Sequence, residues 1–118
     1  MVIEDDFEIQ VTVADLLREE GYEVTCAANG AEGLRALEAM SKLPSLIILD
    51  MWMPEMDGVR FLAVQRTIPR FANIPVLITT AVKPSRAVDE IAGVPVLMKP
   101  LSATSLLAAV EQLRCDGP

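Results

Sequence analysis

The sequence predicts an α/β fold in which a parallel sheet of five strands is covered on both faces by five helices. Three observations lead to this prediction. Short β-rich runs alternate with segments of helical periodicity along the chain, which is typical of parallel sheets. Two runs, at 45–50 (SLIILD) and 74–80 (IPVLITT), are apolar without alternation, as in strands buried on both faces. There is no repeat or linker, so we expect one domain over residues 1–118.

The other three strands are predicted from shorter β-rich runs, at residues 1–4 (MVIE), 23–28 (EVTCAA) and 94–99 (VPVLMK). The expected strand order is 2-1-3-4-5, which is the flavodoxin-like doubly wound arrangement. In such sheets, ligands bind beyond the carboxyl ends of the strands, where the strand order reverses. The residues that follow each strand are therefore the first candidates for a functional site.

Helices are predicted where apolar residues recur at helical spacing and where residues that favour helix ends flank the segment. Asn29 and Asp57 are suited to cap two of the helices, because their side chains can accept hydrogen bonds from the first turn. Gly21 suits the end of the first helix. The five predicted helical segments are 7–20, 29–40, 58–67, 84–92 and 102–114.

Composition excludes several classes of function. The formal net charge is −7, with 10 Lys and Arg against 17 Asp and Glu, so we expect no direct binding of nucleic acid by this domain. There is no histidine to act as a base, a zinc ligand or a phosphocarrier. No signal peptide opens the chain and no apolar run is long enough to span a bilayer, so we expect a cytoplasmic protein without membrane contact.

Charged and hydroxyl residues collect at the ends of the predicted strands. Three acids end the first strand, Asp50 ends the third, Thr79 and Thr80 end the fourth, and Lys99 follows the fifth. At about 4 Å and an effective dielectric constant near 20, each pair of like charges costs roughly 4 kcal/mol. One lysine cannot neutralise such a group, so we expect a divalent cation, and an all-oxygen site suits Mg²⁺. Glu4 is expected just outside this site, as a strand residue.

The same residues resemble a known family, the receiver domains of two-component response regulators, which the chemotaxis response regulator typifies. The motifs that carry the resemblance are LDMWMPEMDG around Asp50, TA at 80–81 and KP at 99–100, together with the acid pair Asp5-Asp6. Their spacing also agrees, because Asp50 lies 44 residues after Asp6 and 30 residues before Thr80. The resemblance covers essentially the whole chain.

The resemblance implies that Asp50 accepts a phosphoryl group from the phosphohistidine of a sensor histidine kinase or a phosphotransfer protein. It also implies that Asp6 and Asp50 ligate Mg²⁺ directly, that Asp5 acts through water, and that the backbone carbonyl of Trp52 is a further ligand. The chain would then be no enzyme beyond its own phosphorylation and dephosphorylation. We expect a monomer or weak dimer with an output partner that the sequence does not identify.

The remaining implied roles concern the phosphoryl group and its surroundings. The residues that would bind it or respond to it are Thr80, Ala81 and Lys99. The Lys99–Pro100 peptide bond is often cis in this family, and cis is compatible with proline.

Two features depart from the family pattern. Val96 stands where family members usually carry Tyr or Phe, so the aromatic half of the usual switch is missing. Trp52 and Val82 occupy the variable positions that flank the phosphoryl group, and bulky apolar side chains there predict slow dephosphorylation.

Other functions are compatible with parts of the sequence. The chain could be a phosphorylation-independent interaction module of the same fold, or a receiver fragment of a larger regulator or hybrid histidine kinase. An aspartyl phosphatase would need a second acid two residues after Asp50, where Trp52 stands. A flavin-binding redox protein would need a Ser/Thr-rich phosphate loop, which we do not find, and more aromatic residues than 4%.

Overall fold

The computed structural model describes residues 1–53, 56–81 and 94–114. The predicted fold class is confirmed: the strands form one parallel sheet in the order β2-β1-β3-β4-β5. Segment 84–92, predicted to be helical, lies outside the described residues, as does Val82. The described elements are β1 (Val2–Ile3), α1 (Phe7–Glu19), β2 (Cys26–Ala27), α2 (Gly30–Ala39), β3 (Ile47–Asp50), α3 (Gly58–Thr67), β4 (Val76–Thr80), β5 (Val96–Met98) and α4 (Ala103–Leu113).

The sheet divides the apolar core into two layers because successive strand residues point to opposite faces. On one face, Ile3, Ile47 and Leu49 pack with residues of α2 and α3. On the other face, Val2 and Ile48 pack with residues of α1 and α4. Both faces of the central strands are therefore covered, which explains why their sequences are apolar without alternation.

The register brings the carboxyl ends of the strands together at one edge of the sheet. Asp50 pairs with Thr79, and Thr80 pairs with Met98 one strand further along. The strands are shorter than the predicted runs, although hydrogen bonds between neighbouring strands continue past their ends, for example from the N–H of Lys99 to the carbonyl of Thr80. Glu4 and Lys99 thus lie just beyond β1 and β5.

Side chains at the N-termini of the helices satisfy backbone N–H groups that have no partner within the helix. Asn29 accepts from the N–H of Glu32, and Asp57 accepts from the N–H of Arg60, as the sequence predicted. Among residues 1–53, 56–81 and 94–114, no helix is both long and apolar enough to cross a bilayer.

Candidate functional site

Three carboxylates and one ammonium group meet at the carboxyl edge of the sheet. Glu4, Asp5 and Asp50 each offer a carboxylate oxygen, and these oxygens lie within 4.8 Å of one another. The Nζ atom of Lys99 lies 2.6 Å from Oε1 of Glu4 and 3.3 Å from Oδ1 of Asp50. We call these four residues the acidic pocket.

Asp50 is held at the base of the acidic pocket by the end of β3 and the start of α3. The next residue, Met51, donates its N–H to the carbonyl of Thr79 at 2.9 Å and accepts from the N–H of Gly58 at 2.9 Å. A Cβ atom at Gly58 would lie 2.8 Å from the carbonyl oxygen of Asp50. Helix α3 can therefore begin this close to Asp50 only because residue 58 is a glycine.

Glu4 is fixed by hydrogen bonds on both sides of its backbone. Its N–H donates to the carbonyl of Ala27 at 3.0 Å. Its carbonyl accepts from Nε2 of Gln10 at 3.1 Å, and the same nitrogen donates to the Ala27 carbonyl at 3.1 Å. Gln10 therefore joins α1 to the ends of β1 and β2.

The structure groups a different pair of neighbouring acids with Asp50 than the predicted Asp5-Asp6. Asp6, the expected direct metal ligand, caps α1, where its Oδ1 accepts from the N–H groups of Glu8 at 3.0 Å and Ile9 at 3.2 Å. Glu4 was expected outside the site, but it is buried within the acidic pocket. The physical reason is the capping register: the acid nearest the helix is used as its cap, so the two preceding acids take the pocket positions.

Gln10 is a site residue that the sequence analysis missed. A signal was available, because Gln10 lies on the same helical stripe as the buried residues Val13, Ala14 and Leu17. A polar residue on a buried stripe needs hydrogen-bond partners, and here those partners are the carbonyl groups beside the pocket.

Burial, and after it a neighbouring carboxylate, raises the pKa values of Asp50 and Asp5. Burial, followed by the neighbouring Glu4 carboxylate, raises the pKa of Asp50 from its ordinary value of 3.8 to about 6, against the opposing effect of Lys99. Burial and then Asp50 also raise the pKa of Asp5. Burial alone would lower the pKa of Lys99, but its contacts with Glu4 and Asp50 outweigh this effect and raise it. A negative potential therefore dominates the pocket.

The donor set of the acidic pocket fits a hard divalent cation. With all three acids ionised, three carboxylates and one ammonium group carry a formal charge of −3 + 1 = −2. The second carboxylate oxygen of Glu4, Oε2, is buried and has no hydrogen-bond partner among the described residues. An uncompensated buried carboxylate oxygen is costly, and a cation with its bound water would satisfy it.

The other predicted site residues surround the pocket. Thr80 is buried, and its carbonyl accepts from the N–H of Lys99 at 2.7 Å, while Ala81 is exposed. The Lys99–Pro100 peptide bond is cis. Trp52 is half-exposed, two residues beyond Asp50.

Val96 is partly buried and packs against the core layer formed by α2 and α3. The predicted variable position Val82 lies outside the described residues. The geometry near Asp50 places its carboxylate beside two further carboxylates that could hold a cation and beside an ammonium group.

Comparisons with known proteins agree with this arrangement. Residues 1–111 match the family described as the response regulator receiver domain. The chain is 30% identical over 118 residues to the transcriptional regulatory protein CpxR homolog of Haemophilus influenzae, covering 96% of this chain and 48% of that protein. It is 37% identical over 82 residues to sporulation initiation phosphotransferase F of Bacillus subtilis, covering 69% of this chain and 62% of that protein. This chain thus spans about half the length of the transcriptional regulator.

Solved structures give the same result. The signal receiver domain of a signal transduction histidine kinase from Syntrophus aciditrophicus superposes with a TM-score of 0.83 at 30% identity, covering 94% of this chain and 85% of that one. The chemotaxis protein CheY4 of Vibrio cholerae superposes with a TM-score of 0.85 at 26% identity, covering 95% of this chain and 94% of that one.

Proposed function

This chain belongs to the response regulator receiver domain family, and from that premise we propose that Asp50 is its phosphoryl acceptor. The observation that carries the proposal is the position of Asp50 in the acidic pocket, with two further carboxylates and the ammonium group of Lys99 around it. The donor would be the phosphohistidine of a sensor histidine kinase or phosphotransfer protein. The intact set of acids favours this function over a phosphorylation-independent interaction module.

In the proposed reaction, an oxygen of the Asp50 carboxylate attacks phosphorus. A P–O bond forms as the P–N bond to the donor imidazole breaks, and the imidazole leaves with the bonding electron pair. An ionised carboxylate carries no proton, so no general base is needed. Lys99 would offset charge on the equatorial oxygens of the loose transition state.

Mg²⁺ is the cation that best suits the oxygen donors of the acidic pocket. We propose that Asp5, Asp50 and the backbone carbonyl of Trp52 hold it, with Glu4 on the adjacent side of the pocket and Asp6 outside the set. When bound, Mg²⁺ supplies charge neutralisation for the transferring group. The residues of the chain position the nucleophile and exclude bulk water from its buried side.

After transfer, the phosphorylated Asp50 gains about one negative charge and three acceptor oxygens. The Thr80 hydroxyl and Lys99 would bind these oxygens, and the loop that begins at Ala81 would shift with Thr80. This change would favour one of two surface arrangements and so alter the binding of an output partner. Because Val96 is aliphatic, the proposed switch works without a rotating aromatic ring at that position.

The proposed setting is a cytoplasmic domain over residues 1–118, monomeric or weakly dimeric. Nucleic acid binding is not proposed for this domain because of its net charge of −7. Autodephosphorylation would be the sole reaction that the domain carries out after phosphorylation.

The test is labelling by acetyl phosphate in Mg²⁺. We expect the wild-type protein to acquire one acid-stable, hydroxylamine-labile phosphoryl group, and Asp50→Asn to acquire none. The matched control is Asp15→Asn, because Asp15 is an exposed acid on α1 that pairs with Arg18. Labelling of Asp50→Asn at the wild-type level would refute the assignment of Asp50.

A further inference from the structure

The ammonium group of Lys99 is paired more closely with Glu4 than with Asp50. Nζ lies 2.6 Å from Oε1 of Glu4 and 3.3 Å from Oδ1 of Asp50. Both carboxylates are almost completely buried, so solvent screens neither interaction strongly. The shorter contact is a charge-assisted hydrogen bond of full strength, whereas the longer one is at the outer range of hydrogen-bond distance.

Glu4 has little freedom to release Lys99. The Glu4 backbone is held at its N–H by Ala27 and at its carbonyl by Gln10. Its side chain is 3% exposed, and Oε2 is buried with no hydrogen-bond partner within residues 1–53, 56–81 and 94–114. One carboxylate oxygen therefore holds Lys99 while the other remains available inside the pocket.

We propose that Glu4 is a positioning residue that holds Lys99 away from Asp50, so that the Asp50 carboxylate stays available to a divalent cation and to the incoming phosphoryl group. This inference rests on the proposed function. Glu4 would then have two roles: it adds negative charge to the acidic pocket, and it positions Lys99.

The proposal makes the effect of Lys99 depend on Glu4. Without the Glu4 carboxylate, Asp50 becomes the nearest partner of Lys99, and a small side-chain rotation suffices because the two are already 3.3 Å apart. The ammonium group would then compete with a cation for Asp50. In a variant that lacks Glu4, removing Lys99 ends this competition and should strengthen cation binding. When Glu4 is present, Lys99 competes little, so removing it should have a small effect.

A double-mutant cycle tests this dependence. Mg²⁺ affinity is measured by titration calorimetry on the wild-type protein, Glu4→Gln, Lys99→Met and the double variant. We expect Glu4→Gln to weaken binding by about tenfold or more, from the loss of charge and the new competition. We expect Lys99→Met to tighten binding by less than about threefold in the wild-type background but by about tenfold in the Glu4→Gln background.

Equal effects of Lys99→Met in the two backgrounds would overturn the proposal, because Glu4 would then act only through its charge. If Glu4→Gln does not fold, Glu4→Asp replaces it, since Asp keeps the charge but is one methylene too short to hold Lys99 at the same distance. The same comparison with Lys99→Met applies: a larger tightening in the Glu4→Asp background supports the proposal, and an equal one overturns it.

Two controls separate this inference from the proposed function. Asp6→Asn removes a neighbouring acid that caps α1, and it should leave the effect of Lys99→Met at its wild-type size. If the wild-type protein binds no Mg²⁺, the proposed metal site and function fail together with the inference. If it binds Mg²⁺ and accepts phosphate while the cycle is additive, only the positioning role of Glu4 fails.

Discussion

At the scale of single residues, the protonation of Asp50 links the acidic pocket to the stability of the fold. Its pKa of about 6 in the folded state exceeds its ordinary value of 3.8, chiefly because it is buried and lies beside Glu4. The folded protein therefore binds a proton at Asp50 more tightly than the unfolded chain does. This contribution to stability is full below about pH 4 and is lost as the pH rises through 6.

We predict that Asp50→Asn raises the melting temperature of the metal-free protein at pH 7.5 and changes it little at pH 4. The amide is neutral at both pH values, so it avoids the cost of a buried charge, which is on the order of 3 kcal/mol at pH 7.5 for the pKa shift from 3.8 to about 6. Thermal melts in EDTA at the two pH values measure the effect, with Asp15→Asn as the exposed control. A lower melting temperature at pH 7.5 would contradict the prediction.

We expect the side chain of Trp52 to affect a different property, the lifetime of the phosphoryl group on Asp50. It is 50% exposed, which is uncommon for so large an apolar group, and it lies two residues after Asp50. We predict that Trp52→Asn shortens the half-life of phosphorylated Asp50 by about tenfold, because an amide can orient the attacking water. Loss of radiolabel over time measures the half-life, and Phe7→Asn is the control because Phe7 is also exposed. An unchanged half-life would show that another residue controls water access.

Residue types at the site were predictable, but their register was not. Three consecutive acids follow β1, and the sequence alone does not say which of them caps the helix. The choice of Asp6 as the cap depends on where α1 begins, and helix starts are uncertain by one or two residues from sequence. Asp50 and Lys99 were easier to predict, because each is the sole charged residue at the end of its strand.

At the scale of secondary-structure elements, the packing of α3 against β3 determines the position of Asp50. A Cβ atom at residue 58 would lie 2.8 Å from the Asp50 carbonyl oxygen and 3.0 Å from the Cα atom of Met51. Both are backbone atoms, so they cannot rotate away as a side chain could. The helix and the strand would have to separate to accept any side chain there.

We predict that Gly58→Ala destabilises the protein by about 1–3 kcal/mol and also weakens Mg²⁺ binding, because the shift reaches Asp50. Chemical denaturation and calorimetry measure the two effects. Gly21→Ala is the control: Gly21 has a φ of 91°, so alanine there costs about 1 kcal/mol, but it lies in the turn after α1, far from the pocket. Unchanged Mg²⁺ affinity in Gly58→Ala would show that the packing of α3 against β3 does not affect the metal site.

The secondary-structure elements with strong local sequence signals were the ones whose bounds could be predicted. Helix α3 has the predicted bounds of 58–67, because Asp57 caps it and apolar residues mark its buried face. The strand predicted at 23–28 is only two residues long in the structure, where β2 pairs with β1. Pairing with neighbours decides how far a strand extends, and a single sequence does not contain that information.

At the scale of the whole molecule, the acidic pocket is a source of instability that a cation would remove. Carboxylates from distant parts of the chain converge only in the folded state, so the unfolded chain lacks the site. A ligand that binds only the folded state raises stability, by about 2.7 kcal/mol at a concentration 100 times its Kd.

We therefore predict that saturating Mg²⁺ raises the melting temperature at pH 7.5 by about 5 °C or more. Asp5→Asn should lose most of this increase, whereas Asp57→Asn, which caps α3 outside the pocket, should retain it despite a lower starting value. Scanning calorimetry with and without Mg²⁺ provides the measurement. An equal increase in Asp5→Asn would place the cation elsewhere.

The residues of the acidic pocket differ in how firmly the sheet holds them in place. Glu4 and Asp50 belong to the buried centre of the sheet, where β1 and β3 each have a strand on both sides. Lys99 follows β5, which has a partner strand on one side only among the described residues and whose residues are partly exposed. Local opening begins where hydrogen bonds and burial are fewest. Local opening at this edge of the sheet will therefore move Lys99 outward while Glu4 and Asp50 stay in place. The acidic pocket will then widen on the Lys99 side.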